Sequence, residues 1–238
     1  MSKKILSYLF LIWIFVGAIS AHLAGPYSLI DGSDVYLLGH PWLYGILKGG
    51  IVGILIVTAS LSYKKKAEGF KVFLILALLF SLAGDLLLMF PERCFVFGLG
   101  SFLIAHILYM VTFIKGCSTL LQVPLVKKLP LMPILLGGVA VLILWSFRGK
   151  LGDLALPVII YVLAIAAMSI MAMNRYQRTT LKSFTWVFLG SLVFMLSDFL
   201  IASNKFDEPI QFAPFYIIFT YAIAQGLIVF GMLKHNEK

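Results

Sequence analysis

The sequence is short of charge, short of cysteine and empty of the common catalytic signatures. Only 12% of its 238 residues are charged and 61% are hydrophobic, with a mean hydropathy of +1.03. A soluble globular domain is excluded by those values. The two cysteines, Cys94 and Cys117, supply neither a disulfide framework nor a zinc cluster. No G-x-S-x-G elbow, H-E-x-x-H helix, phosphate-binding loop or C-x-x-C pair occurs, so serine-hydrolase, zincin, nucleotide and thiol-redox chemistry lack their residues. Of the four histidines, His22 and His40 fall near the outer rim and His235 in the tail, which leaves His106 alone at depth. Zinc sites draw on several such ligands, so no metal or other cofactor is expected.

What is present is a series of long apolar runs bounded by charge, Pro or Gly. A membrane-spanning helix needs about 20 apolar residues, and the runs predict eight spans, at 5–24, 43–63, 70–90, 95–114, 129–147, 154–173, 183–203 and 213–233. The expected architecture is therefore an all-α polytopic membrane protein, one domain over 1–238, with eight transmembrane helices in one bundle. Fourteen cations fall in loops on one side, among them Lys3, Lys4, Lys64, Lys65, Lys66, Arg175 and Lys234, and four on the other, Arg93, Arg148, Lys150 and Lys205. The positive-inside rule then places both termini in the cytoplasm. The net charge of +9 is a topology signal, and no nucleic-acid partner is implied. Residues 1–21 also read as a signal peptide, with Lys3 and Lys4 ahead of an apolar stretch ending in small residues. Its removal would leave seven crossings and the same orientation.

Ionisable side chains inside spans are costly and call for a reason. Lys48, Asp85 and Asp198 each lie five residues inside an outer boundary, so three helices present charge at one level, roughly 7 to 8 Å deep at about 1.5 Å per residue. His106 lies deeper with Tyr109 one turn on, and Tyr221 shares a face with Gln225. Ser81 shares a face with Asp85, and Ser191 with Asp198. Spans 2, 3, 4, 7 and 8 are thus expected to enclose a polar cavity, with spans 1, 5 and 6 as apolar scaffold. Gly45, Gly49 and Gly53 would permit close helix approach along span 2. One lysine neutralises only one of two carboxylates. The other then holds a proton or a hydrogen-bonded neutral state, an arrangement suited to a reaction through an oxocarbenium-like intermediate.

At these residues the chain resembles the YhhN-like lysoplasmalogenase family of integral membrane proteins, which includes the animal lysoplasmalogenases. The resemblance is carried in order by the Lys48 region, Phe80–Leu88 (FSLAGDLLL), Phe102–Tyr109 (FLIAHILY), Ser197–Phe206 (SDFLIASNKF) and Thr220–Gln225 (TYAIAQ). Within Asp207–Phe215 the pattern departs, with Pro214 at a position expected to be basic in animal members. The resemblance implies metal-independent hydrolysis of the vinyl ether bond of lysoplasmenylethanolamine or lysoplasmenylcholine, a lysophospholipid substrate taken from the bilayer. The products are a fatty aldehyde and the glycerophospho-base. Such a bond opens by protonation of the β-carbon and addition of water, which requires an acid and a water-activating base. Asp85 and Asp198 are the expected pair, with Lys48 stabilising whichever is ionised. His106 and Tyr109 would orient a carboxylate or water, Tyr221 and Gln225 would hold substrate oxygens, and Asn204 with Lys205 would bind the phosphate at the outer mouth.

Two other classes fit parts of the same pattern. A proton-coupled transporter or channel would also carry intramembrane Asp, Lys and His, and the aspartates of spans 3 and 7 hint at a parallel repeat. A non-catalytic lipid-binding protein would bind lipid without forming product. The short loops suit a bacterial inner membrane, or the endoplasmic reticulum in a eukaryote.

Overall fold

The computed structural model describes residues 10–14, 26–28, 34–36, 41–62, 69–117 and 131–234. Almost all of them are helical. Turns join the helices, and the described residues also include a small antiparallel ladder, β1 (Pro26–Ser28) and β2 (Asp34–Tyr36), paired with Pro26 opposite Tyr36. It lies in the stretch read from the sequence as the loop before span 2, where no strand is predicted.

Seven helices follow: α1 (Pro41–Leu61), α2 (Phe70–Leu87), α3 (Pro91–Lys115), α4 (Leu131–Ser146), α5 (Ala155–Met173), α6 (Leu181–Phe206) and α7 (Ala213–Leu233). They correspond in order to expected spans 2 to 8. Of expected span 1, only residues 10–14 are described, and they are helical. The rest of that span, the signal-peptide reading, His22, His40, His235 and the cations at 3–4, 64–66, 127–128 and 238 lie outside the described residues. Helices α2, α6 and α7, together with Cys94–Lys115 of α3 and Gly152–Met173 around α5, are long and apolar enough to cross a membrane. The apolar parts of α1 (Lys48–Leu61) and α4 are shorter.

Local sequence sets the helix ends. Pro91 and Pro214 sit in the first turns of α3 and α7, where a missing N–H costs nothing. Thr180 caps α6 by accepting the Ser183 N–H at 3.3 Å. Helix packing closes a ring: α1 on α2, α2 on α3, α3 on α5, α5 on α6, α6 on α7 and α7 back on α1, with α4 outside against α5. Large apolar side chains such as Phe97, Leu142 and Leu163 stay exposed on the outer faces, as expected where lipid replaces water. The close approach predicted along span 2 is only partly present. A Cβ at Gly49 would meet Leu82 at 3.2 Å, whereas one at Gly53 would meet nothing within 4 Å. The tight contact is instead between α6 and α7, where a Cβ at Gly190 would press on Ile228 and one at Gly231 on Val187.

At the end of the ring where α5 passes into α6, Arg175 is fully buried in the turn. It donates to the carbonyls of Phe113 at 3.1 Å and Gly116 at 3.3 Å, and to Ser183 Oγ at 2.9 Å. Ser183 Oγ donates in turn to the Gly231 carbonyl at 2.7 Å. Burial lowers the guanidinium pKa to about 10, so it remains charged at neutral pH. At the end of α3 the Thr112 and Ile114 carbonyls are met by the Gly116 and Cys117 N–H groups, and the guanidinium adds a partner for those of Phe113 and Gly116.

Candidate active site

Every helix of the ring sends a polar side chain inward. From α1 comes Lys48, its ammonium 3.0 Å from Oδ1 of Asp85 on α2. Both side chains are almost wholly buried, so each is the other's main charge compensation. Tyr221 of α7 donates its phenol to Asp85 Oδ2 at 2.8 Å, and the Lys48 ammonium stands 5.9 Å from the centre of the Tyr221 ring. One turn further along α7, Gln225 donates from Nε2 to the Tyr221 oxygen at 3.2 Å and accepts at Oε1 from the Tyr109 phenol of α3. Ser81, one turn before Asp85, lies beside that phenol. A continuous polar chain therefore runs from Lys48 into the bundle.

The second carboxylate has different company. Asp198 of α6 accepts the Tyr161 phenol at 2.6 Å on Oδ2, and His106 Nε2 approaches the same oxygen to 3.8 Å. The His106 ring is wedged between Tyr161 and Phe194, 5.1 Å from the centre of each, and neither of its nitrogens makes a hydrogen bond. Asp85 and Asp198 thus stand in separate sets of contacts, Lys48 and Tyr221 around one and Tyr161 and His106 around the other.

They differ in access. Asp198 lines an apolar recess of about 620 Å³, mouth included, whose walls are chiefly Phe95, Leu99, Phe102, Ile143 and Val162. The Asp198 side chain is 11% exposed against 1% for Asp85. A second recess of about 700 Å³ adjoins the first through Leu88, Phe95 and Ile201 and is lined by Lys48, Asn204 and Lys205. Asp85 lines neither. Asn204 accepts the Ile210 N–H at 2.9 Å on Oδ1, and the exposed Lys205 ammonium lies 4.4 Å from the Phe95 ring centre. Among the described residues, no three His, Cys, Asp or Glu side chains gather into a metal-holding group.

The structure brings together all nine of the sequence-derived candidates but distributes them differently. Tyr109 meets Gln225 and not a carboxylate; Tyr221 serves Asp85, and neither Tyr221 nor Gln225 lines either recess. Tyr161 is the contact that the sequence reading missed, because span 6 was assigned to scaffold. Its signal was a phenol in the middle of an otherwise apolar helix, ALPVIIYVLAIAAM, a position where an unpaired hydroxyl would be costly.

The arrangement pairs a carboxylate at the edge of an apolar recess with a cation-lined mouth, as an amphiphile with an anionic head and a hydrocarbon chain requires. A YhhN family model matches residues 45–232, which contain every one of these residues. The chain belongs to the YhhN family. Relatives of this YhhN chain are found in bacteria and mammals. It is 29% identical over 213 residues to a Mycobacterium bovis protein named lysoplasmalogenase, covering 88% of this chain and 77% of that one. It is 33% identical over 178 residues to Sus scrofa lysoplasmalogenase TMEM86B, covering 75% and 68%, and 30% identical over 165 residues to Homo sapiens lysoplasmalogenase TMEM86A, covering 67% and 65%. No solved structure matches it. As a YhhN family member with five helices among the described residues long and apolar enough to span a bilayer, the protein is an integral membrane protein.

Proposed function

We infer that the chain is a lysoplasmalogenase, an ether-bond hydrolase that cleaves the vinyl ether of lysoplasmenylethanolamine or lysoplasmenylcholine to a fatty aldehyde and the glycerophospho-base. The observation that carries this reading is that Asp198 lines the apolar recess, which adjoins, through Leu88, Phe95 and Ile201, the recess lined by Lys48, Asn204 and Lys205. The alkenyl chain occupies the first, the phosphate lies toward Lys205 in the second, and the vinyl ether falls beside the carboxylate. Relatives named lysoplasmalogenase support the same chemistry, and a transporter is not favoured.

Asp198 acts as the acid. It delivers its proton to the β-carbon of the vinyl ether and leaves an oxocarbenium ion whose charge the new carboxylate stabilises at contact distance. Water adds to the α-carbon while Asp198 takes back a proton from it, which regenerates the acid. The hemiacetal then breaks its carbon–oxygen bond to the glycerol, the hydroxyl proton passing to the departing oxygen, and aldehyde and alcohol separate. Atoms and protons balance with one carboxylate cycling. Asp85 stays ionised against Lys48 and Tyr221 and places a fixed negative charge behind the reaction, so it is a positioning residue. His106 confines the Asp198 side chain.

The completed topology has eight spans and cytoplasmic termini. Both recesses then open toward the outer side, and a bacterial inner membrane or the endoplasmic reticulum is the setting. The test is aldehyde release from lysoplasmenylethanolamine by purified protein in detergent with a chelator present, alongside Asp198→Asn. Aldehyde from the wild type and none from the variant supports the assignment; a folded wild type that releases none overturns it.

A further inference from the structure

A third depression lies on the outer face of the ring, between α3 and α5. It is an open groove of about 520 Å³, mouth included, and is lined by Val96, Leu99, Gly100, Leu156, Ile160 and Tyr161, among others. Val96, Leu156 and Ile160 are 47%, 67% and 45% exposed, which on an integral membrane protein means facing hydrocarbon. Leu99 and Tyr161 also line the apolar recess that holds Asp198. Leu99 and Tyr161 therefore stand between the groove and the recess, and side chains in such a position can rotate. A Cβ added at Gly100, in this groove, would meet nothing within 4 Å.

Tyr161 has a second tie, the 2.6 Å hydrogen bond that its phenol donates to Asp198. One side chain thus touches the lipid-facing groove, the chain-binding recess and the reacting carboxylate.

We propose that the hydrocarbon chain passes between bilayer and recess across the Leu99–Tyr161 wall, and that Tyr161 is a positioning residue whose phenol holds Asp198 once the wall has closed. This rests on the lysoplasmalogenase reading and adds the route and the residue that governs it. The chemistry of the reactants favours a lateral route. A long alkenyl chain that entered from the aqueous mouth would first leave the bilayer, with a hydrophobic cost for every methylene exposed to water. The aldehyde formed is as apolar as the chain that entered, and the same groove returns it to the membrane. The polar product leaves by the Lys48, Asn204 and Lys205 mouth. Rotation of Tyr161 to let a chain by breaks its bond to Asp198, so the carboxylate is held in its working position only behind a closed wall.

The experiment compares wild type, Gly100→Leu and Tyr161→Phe in phosphatidylcholine vesicles, with a long-chain lysoplasmenylethanolamine and a short-chain, water-soluble analogue. Leucine at position 100 fills the groove from outside without disturbing the ring. Gly100→Leu is expected to lower kcat/KM for the long-chain substrate relative to the short one by about tenfold, and Tyr161→Phe to lower kcat for both by about tenfold or more with KM unchanged. An unaltered long-to-short ratio in Gly100→Leu overturns the lateral route, and wild-type kcat in Tyr161→Phe overturns the positioning role. Retention of folded, monodisperse protein is checked for each variant, and Tyr161→Trp, which fills the wall and removes the phenol, gives a second reading of both effects. Failure of wild type to release aldehyde from either substrate is a different result, and it overturns the hydrolase reading itself.

Discussion

Tyr161 and Tyr221 do the same thing to different carboxylates: Tyr161 donates to Asp198 at 2.6 Å and Tyr221 to Asp85 at 2.8 Å. What separates the two aspartates is the third partner. Asp85 has the Lys48 ammonium at 3.0 Å, and Asp198 has His106 at 3.8 Å together with an open apolar wall. Two similar sequence positions thereby acquire unequal surroundings, and the predictions follow from that inequality.

Asp198→Asn should reduce kcat by roughly 10²- to 10⁴-fold, the range of a general acid, while KM for lysoplasmenylethanolamine changes little. The measurement is steady-state aldehyde release by protein whose folding is verified by size exclusion. A variant within threefold of wild type would contradict the assignment of Asp198 as the acid.

Asp85 and Lys48 should behave as a buried pair. Removal of either alone, as Asp85→Leu or Lys48→Met, leaves an uncompensated charge and is expected to cost about 3 to 5 kcal/mol of stability. The double variant should melt closer to wild type than either single one, yet recover little kcat, because the fixed negative charge behind the oxocarbenium ion is gone. A double variant with near-normal kcat would show that Asp85 and Lys48 serve folding alone.

Lys205→Ala should raise KM for the phosphorylated substrate and leave kcat close to wild type. The side chain is exposed and borders the outer recess, so its contribution should weaken as salt is raised. Substrate saturation curves at low and high ionic strength decide this; a salt-independent KM in the wild type would place the phosphate elsewhere.

Arg175→Gln should destabilise the fold without altering the chemistry. The buried guanidinium holds two carbonyls at the end of α3 and the Ser183 hydroxyl, and loss of hydrogen bonds from a charged donor is worth about 1.5 to 3 kcal/mol each. Thermal unfolding in detergent should fall by several degrees, with kcat per folded molecule preserved. A kcat loss at unchanged stability would contradict a purely architectural role.

Much of this was legible in the sequence. Runs of about 20 apolar residues leave a helix as the only way to satisfy backbone polar groups in lipid, and seven expected spans appear as helices in their predicted order. The insertion cost of Lys48, Asp85, His106 and Asp198 marks them in the sequence itself, since a charge in a span must be compensated. Depth counted along each helix placed Lys48 and Asp85 at one level, and they meet as an ion pair.

Which partner each polar group takes was decided only by the tertiary structure. Depth is a coordinate along one helix; it carries no information about the azimuth at which neighbouring helices face each other. Packing α3 on α5 and α5 on α6 carried Tyr161 to Asp198. Closing the ring from α7 through α1 to α2 took Tyr221 to Asp85 and left Gln225 bridging two tyrosines. Helix packing also decided that one carboxylate opens on an apolar recess and the other is sealed. The sequence determined that this protein lies in a membrane and which residues would be expensive there, because those follow from transfer energies of individual side chains. The arrangement of the helices around a closed ring determined which of those residues meet.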